Sequence, residues 1–307
     1  MKILITGGAG FLGSYLCEYF IKLGHFVICV DNFISGDFLN ISHLMDNARF
    51  SFIEADICNN LDVECDYIFN LACPASPVIY QNNPIFTFKT NVFGSINLLE
   101  LAKRNNARIF QASTSEIYGN PGVHPQPESY FGNVNSIGVR GCYNEGKRSA
   151  ETLFYDFFRQ FKVDIRVARI FNTYGPRMSS VDGRIISNFI CQALKGDDVT
   201  VYGDGSHTRS FAFVDDIVDG IVKLMESDFC YPVNLGNPEE FSINEIADII
   251  IKKTNSNSNI VYKELPEDDP LRRKPDISLA KKIIDWEPKI SFNNGLDKTI
   301  ECFRKRF

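Results

Sequence analysis

Lys2-Ile3-Leu4-Ile5-Thr6-Gly7-Gly8-Ala9-Gly10-Phe11-Leu12-Gly13 decides the fold: an apolar run, a G-x-x-G-x-x-G loop, then an amphipathic stretch over Phe11–Leu23. The run reads as a buried strand and the stretch as a helix, so the glycines lie in the turn between them. Glycine permits that tight turn and lets backbone N–H groups approach a pyrophosphate, which the helix N-terminus then stabilises. A second strand over Phe26–Asp31 ends on a carboxylate eighteen residues past Gly13. There it can bind the hydroxyls of an adenosine ribose and repel a 2′-phosphate, which favours NAD over NADP. Asp56, just after a third strand over Arg49–Glu54, is placed near the adenine edge.

Working outward, Tyr67–Leu71, Arg108–Ser113 and Ile165–Ile170 read as further strands, and Pro84–Arg104 and Cys142–Lys162 as long helices. Strands alternating with helices at this spacing imply parallel βαβ units with helices on both faces. The expected fold class is α/β: a doubly wound parallel Rossmann-type sheet with a smaller C-terminal α/β substrate-binding lobe. Residues 1–171 are assigned to the first part and 172–307 mainly to the second. A segment at about 205–226 is expected to rejoin the first. In the second part Val199–Tyr202 reads as a strand, and Ile243–Lys253 and Asn293–Arg306 as helices.

The composition, 44% apolar and 23% charged, is that of a globular protein able to bury a cofactor. A formal charge of −6 argues against nucleic acid or an anionic membrane as partner. Nine scattered cysteines without a C-x-x-C pair suit reduced thiols, and four isolated histidines offer no metal-ligand spacing. No stretch approaches the roughly 20 apolar residues of a membrane span, so the expected location is the cytoplasm.

Tyr143 and Lys147 stand four apart in a helical stretch and share one face. An ammonium beside a phenol favours phenolate, which gives a base for a hydroxyl proton. Ser113-Thr114-Ser115-Glu116 follows the fifth strand, where strand ends face the cofactor crevice of a doubly wound sheet.

With these motifs the chain resembles the extended short-chain dehydrogenase/reductase family that acts on nucleotide sugars (NAD-dependent epimerases and dehydratases). Within it the chain is most similar to the UDP-glucuronate decarboxylases. The similarity runs in order from Ile3 to about Pro288, through Cys73-Pro74-Ala75-Ser76-Pro77, Ser113 to Gly119, Cys142 to Arg148 and Arg169 to Arg177. Asp182-Gly183-Arg184, Asn234 to Glu240 and Arg273-Lys274-Pro275-Asp276 continue it. The resemblance implies redox-neutral decarboxylation of UDP-glucuronate to UDP-xylose through a 4-ketone. It gives Tyr143 the role of base, with Lys147 beside it, and Thr114 a hydrogen bond to the C4 oxygen. Glu116 and Ser115 would lie near C5 and the departing carboxylate. Cofactor contacts are expected from Gly7, Gly10, Phe11, Leu12, Gly13 and Asp31. Asn32, Asp56, Ile57 and Leu71 complete that set together with Tyr143 and Lys147. Substrate contacts are expected from Lys89, Asn97, Asn172, Arg184, Tyr202, Arg209 and Arg273.

Ser115 stands where 4,6-dehydratases of this family resemble Thr-Asp-Glu, and 4-epimerases usually lack the Glu. Epimerase and dehydratase chemistry on the same fold are the nearest alternatives, and a non-catalytic NAD sensor is a third. Phe157 departs from a family position that often carries Tyr. The two long helices carry apolar residues on more than one face, including Phe93, Leu98, Phe154, Phe157 and Phe158. By resemblance they form a dimeric four-helix bundle.

Overall fold

The computed structural model describes residues 1–270 and 272–307. The first half builds β1 (Lys2–Thr6), α1 (Phe11–Lys22), β2 (Phe26–Asp31), β3 (Phe50–Glu54), β4 (Tyr67–Asn70), α2 (Pro77–Asn82), α3 (Pro84–Lys89), α4 (Ser95–Asn105), β5 (Arg108–Thr114), α5 (Gly141–Phe161) and β6 (Ile165–Ile170). The second adds β7 (Thr173–Tyr174), α6 (Ile185–Lys195), β8 (Val199–Tyr202), β9 (Thr208–Ser210), β10 (Ala212–Phe213), α7 (Val214–Glu226) and β11 (Val233–Leu235). It ends with β12 (Glu240–Ser242), α8 (Ile243–Thr254), β13 (Ile260–Lys263), β14 (Arg272–Arg273), α9 (Ser278–Ile284) and α10 (Phe292–Arg304).

Seven strands form one sheet in the order β11-β6-β5-β4-β1-β2-β3, and every pairing is parallel. This is the doubly wound arrangement that the sequence implies. The strands are apolar on both faces, because helices cover both: Ile3, Ile5 and Phe69 join one core, Leu4 and Ile68 the other. The connection reverses between β1 and β4, and the carboxyl ends Thr6, Asp31, Asn70, Thr114 and Ile170 open onto the same edge. Smaller sheets, β12-β9-β14, β8-β13 and β7-β10, face that edge with α6, α8 and α10.

Two features differ from the sequence reading. Pro84–Arg104 is not one regular helix: a π-helical turn over Thr90–Gly94 separates α3 from α4. Asn91 inside that turn donates to Cys73 Sγ at 3.1 Å, and a Cβ on Gly94 would lie 2.3 Å from Ile57 Cδ1. The wide turn thus fits the helix against the loops of the cleft. The seventh strand, Val233–Leu235, is too short to show a period in sequence, and only pairing with β6 makes it a strand. Of the apolar residues expected to face a partner, Leu98, Phe154 and Phe157 are buried in the chain's own core, whereas Phe93 is exposed.

Candidate active site

One cavity of about 1390 Å³ runs along the carboxyl edge of the sheet and under the smaller lobe. At its first end lies the glycine loop. Gly7 N donates to Val30 O at 2.8 Å, and Gly7 adopts φ +70 where a Cβ would lie 2.8 Å from the Leu71 carbonyl. A Cβ on Gly13 would lie 2.1 Å from Gly7 O, so only glycine brings the start of α1 this close to the strand end. Asp31 closes β2, and its carboxylate accepts from Ala9 N at 3.0 Å and Phe33 N at 2.9 Å. Burial pushes its pKa up despite those bonds. Asn32, Phe11, Leu12, Ile57 and Leu71 line the same wall. So does Asp56, which accepts from Cys58 N at 2.8 Å in a tight turn. These expected cofactor contacts therefore converge, and the glycine cradle fits a dinucleotide pyrophosphate.

Tyr143 and Lys147 occupy one face of α5 at the centre of the cavity, both buried. Tyr143 is hydrogen-bonded to Thr114, and Tyr80 stacks flat on it at 5.0 Å with 6° between the rings. Lys147 Nζ donates to Ala112 O at 2.8 Å. Burial pushes the Tyr143 phenol well above its usual range and lowers Lys147. This corrects the expectation that Lys147 brings the phenol down: desolvation in the buried cleft raises it. Behind this pair, Ser113 Oγ donates to Glu151 Oε1 at 2.5 Å, and Arg169 grips Glu151 at 2.8 and 3.0 Å. The end of β5 is thereby fixed to α5.

Beyond Tyr143 lies a cluster of charges. Arg273 on β14 forms a direct ion pair with Glu116, and Arg140 Nη2 stands 3.8 Å from the same carboxylate. Burial pushes Glu116 up, but Arg273, Arg140 and Arg209 pull it down from the usual 4.5 to about 2. Glu116 is thus a carboxylate at neutral pH. Its Oε2 is buried without a hydrogen-bond partner among the described residues. Asp269 joins the cluster by accepting from Arg140 and Arg209.

Thr114, Ser115, Glu116, Asn172, Tyr202, Arg209 and Arg273 all line the cavity, as does Arg184, which pairs with Asp182 at 2.6 Å. Lys89 and Asn97 do not. Lys89 is exposed at the end of α3, and Asn97 donates to Ile57 O at 2.9 Å, holding the turn after Asp56 against α4. Sequence reasoning missed Arg140, Tyr80 and Asp269. Arg140, three residues before Tyr143 at the start of α5, is the one with a local signal.

Comparison with known proteins accords with this geometry. The profile of the family described as GDP-mannose 4,6 dehydratase matches residues 4–299. The chain is 51% identical over 306 residues to UDP-glucuronic acid decarboxylase 2 of Arabidopsis thaliana, spanning 100% of this chain and 69% of that protein. UDP-glucose 4-epimerase of Thermotoga maritima, solved with UDP-glucose, superimposes with a TM-score of 0.91 at 31% identity, covering 100% of this chain and 99% of that one. UDP-glucuronic acid 4-epimerase of Bacillus cereus, solved with UDP-glucuronic acid and NAD, gives a TM-score of 0.91 at 27% identity, covering 100% of both chains. With nearly its whole length matched, the chain belongs to the GDP-mannose 4,6 dehydratase family of extended short-chain dehydrogenases/reductases.

Proposed function

We propose that this protein decarboxylates UDP-glucuronate to UDP-xylose through a 4-keto sugar, using NAD without net oxidation or reduction. The observation that carries this reading is the buried cluster beside Tyr143: three arginines against two carboxylates, with Ser115 where a dehydratase needs an acid. A cluster with more arginines than carboxylates suits a sugar that bears a carboxylate. Whole-length identity of 51% to a decarboxylase supports it, against 31% and 27% for the two epimerases.

Gly7, Gly10, Gly13, Asp31, Asp56 and Leu71 would hold NAD, which supplies a hydride acceptor for C4 of the sugar and returns the hydride at the end. Tyr143 takes the proton of the 4-hydroxyl, and Thr114 hydrogen-bonds the C4 oxygen. Burial disfavours the Tyr143 phenolate, so proton removal would draw on the positive charge that bound NAD would add to the cleft beside Lys147. The 4-ketone stands β to the C5 carboxylate, so loss of CO2 leaves an enolate whose charge rests on the oxygen held by Thr114 and Tyr143. Arg273 holds Glu116 ionised, and Ser115 and Glu116 steer a water-borne proton to C5. Turnover in D2O should therefore place one deuterium at C5 of the pentose, read by NMR. An unchanged sugar mass with inverted C4 would make the protein a 4-epimerase.

Residues 1–171, with about 205–226 rejoining them, serve on this reading as the NAD-binding part, and 172–307 mainly as the nucleotide-sugar lobe. Asn172, Arg184, Tyr202 and Arg273 reach the cavity from the latter, and Arg209 from the rejoining segment. Asp31→Ser should weaken NAD binding about tenfold and relax discrimination against NADP, since a lost charge-assisted hydrogen-bond pair is of that order. Calorimetric titration with both cofactors checks it, and unchanged selectivity would remove Asp31 from the ribose site. Exposed Ile85, Phe88 and Phe93 on the run from α3 to the π turn support a homodimer through a four-helix bundle with α5. A monomeric mass in sedimentation equilibrium would refute it. The cytoplasm suits nine free cysteines and a chain in which no described helix is long and apolar enough to cross a membrane.

A further inference from the structure

Asp269 bridges a fork of two arginines. Its Oδ1 accepts from Arg140 Nη1 at 2.5 Å and its Oδ2 from Arg209 Nη2 at 2.8 Å. Arg140 comes from the start of α5 beside the seven-stranded sheet, and Arg209 from β9 in the β12-β9-β14 sheet. Both guanidinium side chains are deeply buried, at 11% and 4% exposure, while Asp269 at 23% is the most open of the three. All three line the cavity.

Asp269 sits in the connection between β13 and β14, whose described residues form no helix or strand. Asp268 beside it adopts φ +59 and accepts from Asn135 Nδ2 at 3.1 and 3.2 Å, which anchors the turn across the cleft. Pro266 and Glu267 of the same turn also line the cavity. The charge pattern explains why a carboxylate belongs there. Burial, together with Arg273 and Arg140, pushes Arg209 down to about 10 even with Asp269 attached. Three guanidiniums packed this closely require anionic partners, and Glu116 already serves Arg273. The phosphates and carboxylate of a uronate nucleotide offer the same chemistry as Asp269.

We propose that Asp269 is a place-holding anion. It pairs with the Arg140–Arg209 fork and competes there with a negatively charged group of the nucleotide sugar. This rests on reading the cleft as a nucleotide-sugar site. Asp269 then sets affinity by competition: it keeps the arginines paired and in place between turnovers, and it weakens every anionic ligand that must displace it. A carboxylate that merely braced the arginines would do the reverse, because its loss would disorder the fork.

The sign of the effect separates the two roles. Asp269→Asn keeps the size and removes the charge, and Asp269→Ala removes the carboxylate side chain altogether. Binding of UDP and of UDP-glucuronate to the NAD-loaded protein is measured by calorimetry, and KM and kcat by product formation. Both variants should bind UDP and UDP-glucuronate about tenfold more tightly, the value of one charge-assisted contact. KM should fall likewise, while kcat holds or drops as product leaves more slowly. Weaker or unchanged binding in both variants overturns the role of Asp269. A wild-type protein that binds neither UDP nor UDP-glucuronate overturns instead the nucleotide-sugar reading on which it rests.

Discussion

Tyr143→Phe should yield a folded protein that still binds NAD and UDP-glucuronate yet turns over about 10³-fold more slowly, the scale of a lost general base. The substitution deletes one hydroxyl from a fully packed ring. Tyr80 remains stacked on its face, and the bond to Thr114 is lost. Binding relies on the glycine loop and the arginine cluster, which the hydroxyl does not touch, so the loss should appear in kcat and leave Kd nearly unmoved. Single-turnover assays and calorimetry together read both. A variant that keeps wild-type kcat would remove Tyr143 from the chemistry. One that loses binding as well would make it a structural residue.

Arg273→Leu should destabilise the fold by about 3 kcal/mol, the usual cost of stripping a buried carboxylate of its partner. Glu116 sits between Arg273 and Arg140, but Arg140 stands at 3.8 Å, beyond hydrogen-bond distance, so loss of Arg273 removes the carboxylate's direct partner. The pH dependence carries the same signature. The folded-state pKa of Glu116 is depressed to about 2 from the usual 4.5, so its ion pairs stabilise the fold above 4.5, and that contribution fades as pH falls towards 2. In Arg273→Leu the slope of stability across that window should shrink. Adding Glu116→Gln should recover part of the lost stability, because the uncompensated charge is then gone. Denaturant unfolding at pH 7 and pH 3 measures all three. Equal stability of Arg273→Leu and the parent would mean that the pair carries no weight in the fold.

The parts legible in the sequence are those whose physics is local. The glycine spacing, the apolar strands β1 to β6 and the four-residue separation of Tyr143 and Lys147 depend on neighbours a few positions apart, and each appears where expected. The parts that were hidden depend on distant partners. Arg140 looks like an ordinary residue ahead of a helix until Asp269, 129 residues away, meets it. Tyr80 matters only because α2 folds its ring onto Tyr143. Asn97 and Lys89 show the converse: one is spent on a main-chain carbonyl and the other is exposed outside the cavity lining, and no local pattern separates them from residues that line it. The phenol of Tyr143 is a third case. Spacing to Lys147 is visible in the sequence, but the burial that outweighs it is a property of the assembled cleft.

The most direct test of the proposed chemistry is to incubate the purified protein with UDP-glucuronate and a catalytic amount of NAD, following the nucleotide sugar by mass and NMR and the cofactor by absorbance. The account predicts loss of one CO2 per sugar, a UDP-pentose as product and no accumulation of NADH. A product of unchanged mass, or stoichiometric NADH, would contradict it.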